Sequence, residues 1–266
     1  MFKERLILAI PSGPQVPGQP RHSEGSRLAV PTHSFLRNGI GWDYILDGYF
    51  SYVEGDPMEI AEFRGADIPK VVAENRAHVG IVGLDHVLNL PDEDLEHIEI
   101  LRKLGYGKCE FRLGVPKDLG YSKDSKLEDV AGLRVATALP VVAMRKFQER
   151  RVSVTIVPMD GHVENAYRYK MADAIVDITQ SGGTMDRNGL TPAESLESFE
   201  AVLIGNKYPL IGRERIKNKL LTSVDRALRN PSTWMIQETP TTNTNSISTN
   251  GHIQVIEEQS HQSAVI

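Results

Sequence analysis

The chain has 266 residues and a mass of 29.5 kDa, with 40% apolar and 24% charged residues, a globular composition long enough to bury one large core or two smaller ones. A formal charge of −5 and an isoelectric point near 5.9 argue against a basic working surface, so neither nucleic acid nor an anionic membrane is expected as a partner. A single cysteine, Cys109, allows no intrachain disulfide and no multi-cysteine metal site, and no apolar run approaches bilayer-spanning length, so the expected location is the cytoplasm.

In chain order, residues 5–10 read as a first buried strand closed by Pro11-Ser12-Gly13-Pro14, and Pro14, Pro17 and Pro20 make the next stretch a loop. Arg27 to Val30 reads as a second short strand. Trp42 to Tyr52 places Trp42, Ile45, Leu46, Tyr49 and Phe50 on one face of a helix. Met58 to Phe63 reads as a strand, after which Asp67 is a natural N-cap and Pro69 sits in the first turn of a helix to about Asn75. His78 to Val82 is another apolar strand, leading through Gly83-Leu84-Asp85 into a short helix. Strand, helix and strand within about thirty residues form a βαβ unit, with a parallel sheet and ligands expected at the carboxyl ends of its strands. Asp85 lies at such an end, as a helix cap or as a ligand contact.

Glu99 to Leu101 and Phe111 to Val115 read as strands flanking Gly105-Tyr106-Gly107-Lys108-Cys109, which suits a chain crossing between two lobes. Leu127 to Val130 and Leu133 to Thr137 lead into Pro140 and a helix with Val141, Met144 and Phe147 inward, and Val152 to Val157 is the next strand. His162 has no second histidine or cysteine at ligand spacing, so no protein metal site is expected. Glu164 suits either a cleft acid that stabilises positive charge or a helix N-terminal acid. Thr191-Pro192-Ala193-Glu194 has the pattern of a capping box opening a helix, Phe199 to Ile204 reads as a strand, and Arg213 to Leu228 as an amphipathic helix. From Glu238 to Ile266 there is no Phe, Trp or Tyr, and a disordered tail is expected.

The most informative stretch is 172–190, ADAIVDITQSGGTMDRNGL. A period of two puts Asp173 and Asp177 on the same face of one strand. Thr179-Gln180-Ser181-Gly182-Gly183-Thr184 follows, with two glycines and flanking hydroxyls, the chemistry of a phosphate cradle. An acidic strand end beside such a loop suits a sugar phosphate. A buried strand ending in an ordinary glycine turn would show the same local pattern.

Several blocks in order resemble the ATP phosphoribosyltransferase family: RGADIP at 64–69, HVGIVGLDHVL at 78–88, LGYGKC at 104–109, LRVATALP at 133–140, GHVENA at 161–166 and the 172–190 stretch. The resemblance implies an α/β fold of two lobes, like type II periplasmic binding proteins, with mixed sheets and a cleft between. The lobes would be 1–109 plus 189–236 and 110–188, with 237–266 as the tail. It implies Mg2+-dependent joining of N1 of ATP to C1 of phosphoribosyl pyrophosphate, the first step of histidine biosynthesis. Asp177 would contact the ribose with Glu164 in the same pocket, and the donor would also meet Asp173, Thr179, Gln180, Ser181, Gly182, Gly183 and Thr184. Ser12, Gly13, Arg64, Asp67, Gly83, Asp85 and Thr137 would serve the acceptor.

The chain departs from the family pattern where Ser12-Gly13-Pro14 replaces a basic Lys-Gly-Arg segment, and at Leu84, Asn89, Ser181, Gly183 and Asp186. The acceptor side therefore reads as short of positive charge. The resemblance further implies a homo-oligomer, and a short form lacking the regulatory domain that works with a separate regulatory subunit. The alternatives are a related phosphoribosyltransferase with a less anionic acceptor, or a non-catalytic binding protein on the same fold.

Overall fold

The computed structural model describes residues 5–12, 26–44, 50–53, 57–179, 183–208 and 212–235. Gly13, Gln180 to Gly182 and the tail, each given a role above, lie outside these residues. In order, the described elements are β1 (Leu6–Pro11), α1 (Ala29–Ser34), a π-helical turn (Phe35–Ile40), β2 (Phe50–Tyr52), β3 (Met58–Phe63), α2 (Ile68–Ala73), β4 (Val79–Gly83), α3 (Leu84–Leu88), α4 (Asp92–Leu95) and β5 (Ile98–Lys103). The chain continues through β6 (Cys109–Pro116), a 3-10 turn (Leu127–Val130), β7 (Arg134–Thr137), α5 (Pro140–Glu149), β8 (Thr155–Pro158), α6 (Val163–Arg168), β9 (Ala174–Thr179) and α7 (Gly183–Arg187). It ends its described course with β10 (Leu190–Phe199), β11 (Ala201–Asn206), α8 (Glu214–Arg229) and a 3-10 turn (Pro231–Thr233).

The strands form two mixed sheets, ordered β2-β3-β1-β4-β11-β5 and β10-β6-β9-β7-β8. In the first, β1 is parallel to β3 and β4, as the βαβ reading requires, and β4 is buried throughout. Its core holds Leu6, Leu8, Ile10, Phe35, Ile60, Val79 and Leu203. The second sheet buries Phe111, Leu113, Val135, Val176 and Phe199 on one face. The chain leaves the first sheet after β5 and returns at β11. The outward crossing runs through Gly105 and Gly107, both at positive φ (77° and 64°), which glycine adopts without strain. The two crossings are stitched together, Leu104 N–H donating to Ala201 O and Ala201 N–H to Tyr106 O.

Four readings are corrected. Arg27 to Val30 is a turn and the start of α1, not a strand: Pro31 fits the first turn of a helix, and Leu28, Thr32 and Phe35 are buried at helical spacing. Trp42 to Tyr52 is not one helix, because the preceding helix already ends at Gly41 in the left-handed conformation, Trp42 to Tyr44 is irregular and Phe50–Tyr52 is a strand. On α5 the inward residues are Val142, Ala143 and Phe147, spaced from buried Leu139 by three, four and eight, so Met144 faces water.

Finally, Thr191 to Glu194 opens no helix but lies in β10, so the chain rejoins the first sheet at Ala201 rather than at 189. Pro192 is tolerated because β10 is an edge strand with one side of its backbone unpaired. Register shifts around Ser195 break the alternation that would have marked a strand. The Glu194 carboxylate, free of any capping duty, accepts from Leu127 N–H and pairs with Arg150, both at 2.9 Å.

Candidate functional site

Strand β9 lies between β6 and β7 and carries Asp177 near its carboxyl end. At Gly114 a methyl group would stand 2.8 Å from Ile175 Cγ1 and 3.2 Å from Met185 Sδ, so only glycine lets α7 settle close to β9. The result is a cavity of about 270 Å³ lined by Glu164 from α6, Ile175, Asp177 and Thr179 from β9, Gly183, Thr184 and Met185 from α7, and Arg27 from the first sheet's side. The expected donor set of Asp177, Glu164, Thr179, Gly183 and Thr184 is thus brought together.

Asp177 is largely buried, and desolvation pushes its carboxyl up to about 6; a hydrogen bond from Ile178 N–H (2.8 Å) pulls the other way, and the negative charge of Glu164 adds to the rise. Glu164 is held in the first turn of α6, behind His162 in the left-handed conformation (φ 46°). Asp173 is not in the cavity. It precedes β9 and grips Arg134 through both carboxylate oxygens, with bonds of 2.8 and 3.1 Å to the guanidinium and 3.0 Å to the Arg134 N–H, which holds its pKa below the usual carboxylate range.

Arg27 is the residue that sequence reading missed. Ser26 N–H donates to Ser12 O at 3.2 Å, so the chain after β1 returns to the point it left and delivers Arg27 at the strand's end. Thirteen residues separate Ser12 from Ser26, so the contact is not local in sequence; the usable signal was that Arg27 precedes a helical pattern with proline in its first turn. A cation does stand close to the end of β1, at Arg27. Its Nη2 donates to Asp85 Oδ1 (3.0 Å) and to Cys109 Sγ (3.2 Å). Cys109 is buried, and desolvation pushes its thiol up to about 11, which suits packing and not nucleophilic attack.

Gly83 is the N-cap position of α3, and Asp85, in its first turn, is an ion-pair partner instead of a cap. Gly65 and His86 lie close together, since a methyl at Gly65 would meet His86 Nε2 at 3.1 Å, and His86 Nε2 is 3.9 Å from Asp85 Oδ2; this gathers the 64–67 turn beside Asp85. Arg64 and Asp67 are exposed on that turn, and Asp67 holds the N-cap position of α2 with no side-chain capping bond. Ser12 lies at the end of β1, its N–H on Phe63 O. Thr137 is fully buried in the second sheet, its hydroxyl accepting from Leu139 N–H at 3.0 Å, and does not reach the cavity.

A second cavity of about 440 Å³ shares Thr179 with the first and runs over the crossing segments, between Lys108, Cys109 and Glu110 on one and Ser198, Phe199 and Glu200 on the other. Among the described residues no group of three or more acidic, histidine or cysteine side chains could hold a metal ion. Mg2+ carried on a phosphate needs only one or two protein carboxylates beside the phosphate oxygens and water, and the carboxylates that line the first cavity are Asp177 and Glu164.

The family model described as ATP phosphoribosyltransferase matches residues 64–226. The chain is 32% identical over 213 residues to an ATP phosphoribosyltransferase of Stenotrophomonas maltophilia, covering 76% of this chain and 68% of that protein. It is 33% identical over 177 residues to that of Oceanobacillus iheyensis (65% and 80%) and 38% identical over 162 residues to that of Methanosarcina barkeri (60% and 54%). Among solved structures, the ATP phosphoribosyl transferase (HisG:HisZ) complex from Thermotoga maritima has a chain with a TM-score of 0.66 at 22% identity, covering 84% of this chain and 98% of that one. An ancestral amino acid-binding protein shares the fold at a TM-score of 0.54 and 11% identity, covering 86% and 92%. The two-lobed fold expected from the sequence is thereby shown.

Proposed function

The chain belongs to the ATP phosphoribosyltransferase family, and we propose that it carries out that family's transfer, joining N1 of ATP to C1 of phosphoribosyl pyrophosphate with release of pyrophosphate, the first step of histidine biosynthesis. The observation that carries the reading is the meeting of two carboxylates, the Gly183-Thr184 end of the donor loop and one arginine around a single cavity. In the transfer the N1 lone pair forms the new bond to C1 as the C1–O bond breaks, and its electron pair leaves with pyrophosphate. Positive charge develops on the ribose. The ionised carboxylate of Asp177, fixed in a desolvated wall, stabilises that charge, and Glu164 deepens the negative potential. Arg27 faces them with the charge the departing anion needs. Mg2+, when bound with the diphosphate, would supply neutralising charge to the leaving group.

The 5'-phosphate would sit on the loop that ends at Gly183 and Thr184, and the acceptor base in the adjoining cavity over the crossing segments. Excluding water from this cleft protects the activated sugar from hydrolysis. On this reading the chain works in the cytoplasm as a homo-oligomer, and the two-component HisG:HisZ complex from Thermotoga maritima supports a separate regulatory subunit here. Pyrophosphate release from phosphoribosyl pyrophosphate and Mg2+, measured with ATP and with a panel of other bases and nucleotides, tests the reading. Release that requires ATP is expected. Release only with another acceptor would move the protein to a different reaction, and donor binding without release under any condition would favour a binding protein.

A further inference from the structure

We infer that Asp85 is a positioning residue for this transfer: it clamps one nitrogen of Arg27 so that the rest of the guanidinium is presented to the anionic leaving group. The inference deepens the proposed function and rests on it for the identity of the anion. Asp85 is 1% exposed, and its Oδ1 lies 3.0 Å from Arg27 Nη2. A buried carboxylate without a cation would be costly, so the pair is obligatory for Asp85. The fold is shaped to keep the carboxylate there: a methyl group at Gly83 would stand 2.0 Å from Asp85 Oδ1, so the absence of a side chain at that position makes room for the acid.

Cys109 closes the clamp from the crossing segment, its Sγ 3.2 Å from the same Nη2. Arg27 is 26% exposed, lines the cavity that contains Asp177, and among the described residues its Nε and Nη1 have no hydrogen-bond partner. A planar fork fixed at one nitrogen keeps its remaining donors in a set direction, the arrangement that recognises phosphate oxygens in pairs. Asp85 therefore touches neither substrate, and acts through Arg27.

The test measures binding of inorganic pyrophosphate with Mg2+ to the full chain by titration calorimetry, for the parent, Arg27→Ala, Asp85→Asn and the double variant. Asp85→Asn should weaken binding about tenfold or more, close to the effect of Arg27→Ala, and the double variant should be no weaker than Arg27→Ala alone. Added guanidinium should restore binding to Arg27→Ala and fail to restore it to the double variant, a readout that a purely structural role would not move. Unchanged binding in Asp85→Asn, additive losses, equal rescue in both backgrounds, absence of pyrophosphate binding by the parent, or loss of the parent's circular dichroism spectrum in Asp85→Asn would overturn the inference. Failure of the ATP reading looks different: no ATP-dependent release, with this binding cycle intact.

Discussion

Replacing Asp177 by asparagine should stabilise the protein at the pH where it disables it. Burial raises the Asp177 carboxyl from its ordinary value of 3.8 to about 6, so the folded chain holds a proton that the unfolded chain has already released. The stability that this proton brings is fully present below about pH 4 and is lost as pH rises through about 6. At about 1.4 kcal/mol per pKa unit, keeping the ionised form in the folded state at pH 8 costs about 3 kcal/mol. Asparagine has the same shape, keeps an oxygen for the Ile178 N–H bond and never ionises. In urea melts the variant should therefore exceed the parent by up to about 3 kcal/mol at pH 8, a Tm gain of roughly 2–4 °C per kcal/mol, and the gap should close by pH 4. An advantage that is absent at pH 8, or equal at pH 4 and pH 8, would refute the reasoning.

Because the ionised form of Asp177 is the useful one, kcat/KM should fall as pH drops through about 6, and a pH profile flat between 5 and 8 would remove Asp177 from the mechanism. Asp173→Asn should leave KM for phosphoribosyl pyrophosphate within about twofold, since its carboxylate is spent on Arg134 outside the cavity; steady-state kinetics decide this. Gly114→Ala should cost about 1–3 kcal/mol in a denaturant melt, because its methyl would press on Ile175 and Met185 beneath the donor site. Asn89→Ala removes the bond at 3.0 Å by which the first sheet's side caps the Val141 N–H of α5, and should cost about 0.5–2 kcal/mol by the same measurement.

Much of the donor side was legible in the sequence because its signals are local. The alternation that ends at Asp177 describes one strand, and the cavity is lined by its end, Asp177 and Thr179, and by Gly183 and Thr184 at the start of α7. The alternation that groups Asp173 with Asp177 does not extend to Asp173, which lies before the strand, where a neighbouring arginine on β7 takes it. The acceptor side was harder because its key contact is not local. Nothing in the spacing of Ser12 and Ser26 says that their backbones hydrogen-bond, and without that bond Arg27 looks like part of an unrelated strand. Likewise Thr191 to Glu194 carries a helix-opening pattern, and only pairing with β6 along a sheet edge overrides it. Asp85 showed its charge but not its use, since a cap and an ion-pair partner look alike until Arg27 is in place.

The most direct test of the central claim, that the Asp177 cavity is where the sugar changes partners, is a comparison of ATP-dependent pyrophosphate release by the parent and by Asp177→Asn, with donor affinity measured alongside. The account predicts a parent that releases pyrophosphate only with ATP, and a folded variant that still binds phosphoribosyl pyrophosphate but turns over at least about a hundredfold more slowly, the loss of transition-state charge stabilisation. A variant with the parent's kcat would contradict it.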